Sequence, residues 1–189
     1  LKVSKDKIVD GYAMATPLLI APLVETSGEV WSSIESAGYT MSNLFIGLYP
    51  GSIGETSMIC ILFGAIVLII TKIASWRIMA GSVIGLFLMT YIFNAIAGPE
   101  ILPFFELGPI AHLMIGSFAF GAVFMATDPV SASFTNQGKW AYGIFIGFMT
   151  VLIRVLNPAF PEGVMLAILF ANLWAPLFDY FVAQSNIKR

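Results

Sequence analysis

Charged side chains are scarce in this chain. Of its 189 residues, 11% are charged and 58% are hydrophobic, whereas soluble domains average about 25% charged residues. So few ionic groups exclude an ordinary water-exposed surface and favour a surface that faces lipid. The formal net charge is -2 and the sequence contains no basic run, which excludes nucleic acid as a partner. We therefore predict an all-α integral membrane protein.

Cysteine and histidine are almost absent as well. The single cysteine, Cys60, excludes an internal disulfide, and one histidine leaves no Cys/His spacing typical of a metal site. His112 is better interpreted as a buried hydrogen-bonding residue than as a metal ligand, because no second ligand accompanies it. The chain starts at Leu1 with a polar, lysine-rich segment that lacks the apolar region of a signal peptide. We expect it to be part of a longer protein.

Long apolar runs are what the sequence does contain. A spanning helix needs about 20 mostly apolar residues. Five stretches qualify, namely residues 57–74, 78–97, 110–127, 140–156 and 163–183. The segments between them carry helix-breaking pairs such as Gly98-Pro99, Asp128-Pro129 and Asn157-Pro158. We predict a bundle of five transmembrane helices over residues 57–189.

Two shorter apolar stretches precede the first predicted span. Residues 15–24 are interrupted by Pro17 and Pro22, and residues 41–49 run into a Pro/Gly-rich break. A short apolar segment, a break and a new helix predict a re-entrant half-helix and break over residues 41–56, after a segment over residues 1–40. Irregular backbone at membrane depth occurs where it is buried in protein or lines a cavity, and transporters place their sites there. A surface amphipathic segment is the alternative interpretation.

The distribution of lysine and arginine predicts the orientation of the chain. Basic residues lie between spans one and two, between spans three and four, and after span five: Lys72, Arg77, Lys139, Lys188 and Arg189. The loop between spans two and three holds two glutamates and no basic residue. By the positive-inside rule the C-terminus is cytoplasmic and residues 1–40 are extracytoplasmic. Arg154, near the outer end of span four, and the lysines close to Leu1 argue against this orientation.

Glycines and tryptophans predict how the spans pack. Gly81 and Gly85 share one helical face, as do Gly143 and Gly147, and small residues at this spacing let two membrane helices approach closely. Trp76 and Trp140 lie at predicted span ends, where aromatic residues anchor helices at the membrane interface.

Few polar residues interrupt the apolar runs, and intramembrane acids are functional candidates. Glu55 opens span one, where it is either a functional acid or a residue favoured by the helix dipole. Asp128, flanked by Thr127 and Ser131, offers oxygen ligands suited to a small cation; a helix-ending Asp-Pro turn is the alternative. Asp179 in span five could meet a neighbouring subunit or reach the interface.

Four stretches of the sequence resemble one known family. They are Gly-Ser-Ile-Gly-Glu-Thr-Ser at 51–57, Ala-Ser-Trp-Arg-Ile-Met at 74–79, Ala-Thr-Asp-Pro-Val-Ser at 126–131, and the tail from Asn157 onward. Together they resemble the C-terminal half of the B subunit of the sodium-translocating NADH:quinone reductases. The D subunit of the Rnf electron-transport complexes shares the first and third stretches. The Ser75-Trp76-Arg77 stretch fits the reductases better.

The resemblance implies a covalent flavin. In that family FMN is joined by a phosphoester bond to the threonine of the pattern Asp-Gly-x-Ser-Gly-Ala-Thr. Here Asp10, Gly11, Ala15 and Thr16 match the pattern, while Ala13 and Met14 replace its Ser and Gly. The resemblance thus implies FMN on Thr16, on the extracytoplasmic side, and riboflavin in the full-length subunit.

The resemblance also implies a fold and partners. The fold is like that of urea transporters, with two five-helix repeats, of which this chain is the second. The resemblance further implies a multi-pass subunit of a translocase in the bacterial inner membrane. The partners it implies are the other subunits of the reductase complex, quinone, Na⁺ and the lipid bilayer.

Within this scheme the candidate residues take two roles. The break over residues 50–57 offers backbone N–H groups and a helix N-terminus to the flavin or to an anion, through Ser52, Gly54, Thr56 and Ser57. A Na⁺ path is expected along Asp128, Thr127 and Glu55. The alternatives are an Rnf-type electron-transport subunit, a non-redox channel or transporter of the same fold, and a purely structural membrane anchor.

Overall fold

The computed structural model describes residues 17–21, 30–49, 54–96, 103–157 and 162–187. These residues are helical or irregular, and none of them forms a strand. The helices are α1 Pro17–Ile20, α2 Val30–Ser36, α3 Met41–Ile46, α4 Met58–Ile70, α5 Trp76–Ile96, α6 Pro109–Met114, α7 Phe118–Phe120, α8 Asn136–Leu156 and α9 Val164–Ile187. A 3₁₀ turn covers Pro103–Glu106, and α7 continues as a π-helical turn over Gly121–Met125.

Three helices are long and apolar enough to cross a membrane. They are α5 and α8, with 21 residues each, and α9, with 24. They confirm the predicted spans over residues 78–97, 140–156 and 163–183. The all-helical membrane class predicted from composition is confirmed with them.

Helix α4 is shorter than the predicted first span. It is apolar but ends at Ile70, after 13 residues, whereas the prediction extended to residue 74. The backbone of Lys72 is left-handed, with φ of 57°. The N–H groups of Ile73 and Ala74 turn back to the Leu68 carbonyl. This cap ends the helix inside an apolar run, which hydropathy alone does not reveal.

The predicted third span, residues 110–127, is not one continuous helix in the structure. Helix α6 ends at Met114, Ile115 is extended, and Gly116 has a φ of +71°. The chain then resumes as α7 and the π-helical turn. A positive φ is easy for glycine and costly for other residues, so Gly116 permits the break. The apolar residues around it keep the hydropathy high, so the sequence pattern still predicts a continuous helix.

Helices α5 and α8 form the tightest seam of the bundle. They run parallel, with Gly81 facing Gly143 and Gly147 facing the backbone of Ser82 and Leu86. A Cβ on Gly143 would lie 2.5 Å from the Ile78 carbonyl oxygen. The predicted close approach through these glycines is therefore confirmed. Trp76 and Trp140 meet edge to face at the start of the two helices, with centroids 5.5 Å apart.

Helices α8 and α9 run antiparallel. Phe145 stacks on Phe170 at 5.7 Å, and a Cβ on Gly163, just before α9, would lie 3.0 Å from the Thr150 carbonyl oxygen late in α8. The bundle therefore has two distinct ends. The basic end carries Lys72, Arg77 and Lys139, which line one cavity. These three residues therefore lie on one side of the bundle, as the charge distribution predicted. The break end carries Gly116, Arg154 and Glu162.

Widening the seam between α5 and α8 is expected to destabilise the protein. Gly147→Leu forces a side chain into the Ser82 and Leu86 backbone, and overpacking of this kind costs about 1–3 kcal/mol. Thermal unfolding of the purified protein in detergent measures the loss. Gly108→Ala is the matched control, because nothing lies within 4 Å of a Cβ there and its φ is −65°. Equal unfolding temperatures for the two variants would contradict the tight seam.

Candidate functional site at the helix break

The break between α6 and α7 leaves backbone carbonyls without helical partners, and Arg154 binds them. Arg154 has no exposed surface. Its Nη1 donates to the His112 carbonyl at 2.6 Å, and its Nη2 donates to the Ile115 carbonyl at 3.1 Å. The planar guanidinium presents several donors in a rigid fork. One side chain therefore satisfies the end of α6, and His112 is buried beside it, as predicted.

Glu162 binds the other side of the same break. Its Oε2 accepts from the backbone N–H of Ser117 at 2.9 Å and from the Ser117 hydroxyl at 2.7 Å. Its carbonyl also accepts from Nε of Arg154 at 3.0 Å. The loop before α9, the end of α8 and the start of α7 are thus joined by one polar network, which we call the break network: Arg154, Glu162, Ser117 and the carbonyls of His112 and Ile115.

The short helix α1 packs on this network. Leu18 and Ala21 are each 1% exposed. A Cβ added to Gly116 would lie 2.5 Å from Cδ1 of Leu18, 2.7 Å from Oε2 of Glu162 and 3.1 Å from Nη2 of Arg154. Glycine is therefore required at position 116 for two reasons. Its backbone is left-handed, and a side chain there would clash with α1 and with the break network.

The flavin-attachment motif comes immediately before α1 in the sequence. Asp10, Gly11, Ala15 and Thr16 lie outside the described residues, so the proposed attachment stays a prediction. The described residues begin at Pro17, one residue after Thr16, and Leu18 packs against the break network.

Between α3 and α4 the structure describes residues 47–49 and 54–57, so the predicted half-helix and break over residues 41–56 stay a prediction. Helix α3 ends at Gly47, whose φ of 95° places its backbone against Ser57. Gly54 is also left-handed, at 88°, and a Cβ there would lie 3.6 Å from the Phe120 ring. Ser57 caps α4 by accepting from the Cys60 N–H at 3.5 Å. Thr56 lies in the same turn, whereas Ser52 lies outside the described residues; whether α3 enters the membrane stays a prediction.

The negative charges of two glutamates act on Tyr49 near the break. Burial raises the pKa of Tyr49 to about 12, and the negative charges of Glu55 and Glu162 act in the same direction. Tyr49 is therefore a neutral hydroxyl at physiological pH. Glu55 precedes the start of α4, and the end of α4 lies at the basic end, so Glu55 lies at the break end, on the same side of the bundle as Glu162.

A cavity of about 360 Å³ opens on this side of the bundle. Its walls come from the start of α2, the start of α3 and the chain leading into α6, and the lining residues are Val30, Trp31, Met41 and residues 106–111. The lining is mostly apolar, with the Trp31 indole and the Glu106 carboxylate as exceptions.

Asp128 lies at the other end of the bundle, among basic residues. Its Oδ2 accepts from the N–H of Ser131 at 3.0 Å and from the Ser131 hydroxyl at 2.6 Å. These hydrogen bonds lower the pKa of Asp128, so the carboxylate is ionised at neutral pH. The Thr127 hydroxyl donates instead to the Val123 carbonyl, at 2.6 Å. The structure thus brings Ser131 to Asp128 but leaves Thr127 bonded within its own helical turn.

Glu55 and Asp128 are not brought together. Glu55 precedes the first turn of α4, whereas Asp128 shares a cavity with Lys72, which follows its last turn. The 13 residues of α4 rise by about 20 Å at 1.5 Å per residue. The acids proposed for one cation path therefore lie at opposite ends of the bundle.

Sequence reasoning missed the role of Asp179. Its carboxylate accepts from the Ser133 hydroxyl at 2.6 Å and from the N–H groups of Phe134 and Thr135 at 2.8 and 2.9 Å. It thereby ties α9 to the loop that starts α8. The only local signal was the Ser-Phe-Thr sequence that precedes α8, and nothing in it points to an acid 44 residues or more away.

Comparisons with known proteins agree with the sequence resemblance. The sequence model of the NQR2, RnfD, RnfE family matches residues 2–188. The B subunit of the Na(+)-translocating NADH-quinone reductase of Azotobacter vinelandii is 57% identical over 96% of this chain and 43% of its own length. The proteins of the same name from Stutzerimonas stutzeri and Yersinia pestis are 55% and 54% identical over 96% and 95% of the chain, and each is covered over 43% of its length. The chain spans less than half the length of these relatives.

The break network predicts a large stability loss for one substitution. Arg154→Met removes the donors to three carbonyls, and each carbonyl left buried without a partner costs about 1–3 kcal/mol. Arg154→Lys keeps the charge but not the fork, and a smaller loss is expected. Thermal unfolding in detergent measures both.

Arg77→Gln is the control for this series, because Arg77 is half-buried at the basic end and donates no hydrogen bond among the described contacts. Its unfolding free energy is expected to change by less than about 0.5 kcal/mol. A loss in Arg154→Met no larger than in this control would contradict the network.

Proposed function

The chain belongs to the NQR2, RnfD, RnfE family, and from that premise we propose that it is part of the B subunit of a sodium-translocating NADH:quinone reductase. The observation that carries the proposal is identity of 54–57% to proteins of that name over almost the whole chain. The chain corresponds to the C-terminal part of that subunit. The complete activity, a redox-driven export of Na⁺ with electrons passing from NADH toward quinone, belongs to the assembled complex in the bacterial inner membrane.

The family also includes Rnf subunits, which are the alternative within the same class. The Ser75-Trp76-Arg77 stretch and the Pro161-Glu162-Gly163 stretch favour the reductase. Two of these residues have structural roles here, since Trp76 pairs with Trp140 and Glu162 binds the helix break.

The chain is proposed to carry FMN as a phosphoester on Thr16. When bound, FMN supplies reversible electron acceptance and donation, and the protein supplies binding and orientation. Leu18 and Ala21, buried directly after Thr16, support the proposal because they fix the attachment segment to the rigid break network. A flavin on an unanchored segment would vary in its distance from electron donors and acceptors.

The cavity at the break end fits the ring system of a flavin. Its volume of about 360 Å³ falls within the range of about 300–1,000 Å³ that small-molecule pockets occupy. Trp31 and the apolar residues of the α6 entry would hold the rings, and Glu106 would face their polar edge. Riboflavin and quinone are assigned to the remainder of the full-length subunit and its partners.

Five membrane crossings are proposed for this part of the subunit. The crossings are α4, α5, the broken pair α6–α7, α8 and α9, with the basic end cytoplasmic and the break end extracytoplasmic. The alternation of directions supports this topology, because α5 and α8 run parallel and α9 returns antiparallel to α8. The fold would be one repeat of a urea-transporter-like pair.

A Na⁺ path is proposed between the two ends. Glu55 lies at the extracytoplasmic break end, while Asp128 and the Thr127 backbone lie at the cytoplasmic end. Three basic side chains share the cavity of Asp128 and repel a resting cation. Asp128 therefore suits transient passage better than tight storage of Na⁺.

The flavin proposal is tested by Thr16→Ala in the full-length subunit, produced together with the flavin transferase. The wild-type subunit should show a fluorescent band after denaturing electrophoresis and an intact mass increased by one phosphoester-linked FMN. Both should disappear completely in Thr16→Ala, because no other hydroxyl is linked. Thr71→Ala, at an exposed position after α4 at the opposite end of the bundle, is the control and should keep both signals. Fluorescence that survives in Thr16→Ala would mean that the flavin is linked to another residue, whereas a wild-type mass without flavin would favour a non-redox transporter.

The cation path is tested by Asp128→Asn. Losing an ionised ligand should raise the Na⁺ concentration for half-maximal turnover on the order of tenfold, the equivalent of about 1.4 kcal/mol. Steady-state quinone reduction by the purified complex over a Na⁺ series measures it. Glu35→Gln, at an exposed position of α2, should leave the value unchanged. An unaltered Na⁺ dependence in Asp128→Asn would remove Asp128 from the path.

A further inference from the structure

The function proposed above assigns no ligand to the three basic side chains of the cavity that Asp128 lines, at the end of the bundle opposite the proposed flavin. This cavity has a volume of about 440 Å³ and lies between the end of α4, the start of α5 and the loop that leads into α8. Lys72, Arg77 and Lys139 line it, and Asp128 is the single carboxylate among the lining residues. The lining therefore carries a net charge of two positive.

The three cations are available to a ligand. None of them forms an ion pair with a carboxylate among the described residues, and Arg77 has only the neighbouring Trp76 ring, 5.3 Å from its guanidinium carbon. Asp128 directs one oxygen to Ser131. Asp179, which lies just behind Ser133, is held by hydroxyl and amide donors of residues 133–135. The acids close to the cavity are thus engaged by hydrogen-bond donors, whereas the cations are not neutralised.

The backbone of Lys72 is a second, independent sign of function. Among the described residues it is the one non-glycine with a positive φ, 57°. The position is a helix C-terminal cap, where glycine is usual because it avoids the Cβ clash. Strained backbone of this kind is concentrated at functional sites. What the lysine adds over glycine is a cation directed at this cavity.

The cavity combines a cationic part with an apolar wall, which matches the charged headgroup and the acyl chains of a phospholipid. Ile69 and Ile73, from the last turn of α4 and its cap, form an apolar wall and are 40% and 62% exposed. The Trp76–Trp140 pair lies at the same level, and tryptophans mark the depth of the lipid headgroups. Cationic side chains and an apolar flank therefore meet where a headgroup meets its acyl chains.

We propose that this cavity binds the phosphodiester headgroup of an anionic phospholipid, held by Lys72, Arg77 and Lys139, with the first acyl methylenes against Ile69 and Ile73. Basic pockets between membrane helices bind such headgroups through charge and hydrogen bonding. The site is independent of the flavin and of Thr16. It depends on three charges that come together from the α4–α5 connection and the first turns of α5 and α8.

The test uses the complete complex, purified in detergent and stripped of lipid. Its thermal unfolding midpoint is followed while phosphatidylglycerol, phosphatidylcholine or inorganic phosphate is added. Phosphatidylglycerol should raise the midpoint saturably, as a ligand specific for the folded state does, and the other two should not. Arg77→Gln and Lys139→Gln should each weaken the apparent affinity about fivefold, since each basic residue near anionic lipid contributes about one charge interaction.

Lys72 provides the sharpest pair of variants. Lys72→Gly removes the charge but relieves the left-handed backbone, so the lipid-free protein should unfold at the same or a higher temperature while phosphatidylglycerol affinity falls about fivefold. Lys72→Arg keeps the charge and should keep the affinity. If Lys72 has a purely structural role, Lys72→Gly should change the unfolding temperature but leave the phosphatidylglycerol affinity unchanged.

Three results would overturn the proposal. Equal stabilisation by phosphatidylcholine would mean that charge is not recognised. Inorganic phosphate that binds as tightly as phosphatidylglycerol and competes with it would mean a small-anion site. Unchanged lipid affinity in Arg77→Gln/Lys139→Gln, together with loss of another subunit during purification, would mean that the basic end is a protein interface.

Discussion

The structure depends on one constraint, that backbone groups removed from water must find partners within the protein. A continuous helix meets this constraint by itself, but the break at Gly116 does not. Arg154 and Glu162 supply the missing partners, from the end of α8 and the loop before α9. A fully buried charge is costly unless it is hydrogen-bonded and faces an opposite charge. The break, the buried arginine and the glutamate therefore stabilise one another, and α1 packs on all three.

The glycine seam between α5 and α8 makes the break possible. With Gly81 against Gly143, and Gly147 against the backbone of Ser82 and Leu86, these two helices approach closely enough to act as a rigid frame. Helix α9 packs antiparallel on α8 through aromatic rings. A frame of three continuous helices can hold a discontinuous fourth element, because the frame and not the broken chain determines where the polar groups lie.

The sequence predicted the features that depend on neighbouring residues, and it missed those that depend on contacts between residues far apart in the chain. Hydropathy identified α5, α8 and α9, and local spacing identified the glycine seam. The break was missed because one glycine barely changes the hydropathy of a long apolar run. Arg154 looked like an exception to the charge rule because its carbonyl partners lie 39 and 42 residues away, and Asp179 was unassigned for the same reason. The flavin threonine was reached through family resemblance, since its own residues form an ordinary polar-to-apolar boundary.

The two proposals for the basic end are physically linked. With three free cations around it, Asp128 sits in a positive potential that repels Na⁺, and low-dielectric walls strengthen that repulsion. A phosphodiester bound to Lys72, Arg77 and Lys139 would cancel part of this charge and leave the Asp128 carboxylate facing a nearly neutral cavity. An approaching cation would then be attracted. On this argument an anionic lipid at the basic end would be a condition for cation entry, and the Na⁺ dependence of turnover would vary with the anionic lipid content of the membrane.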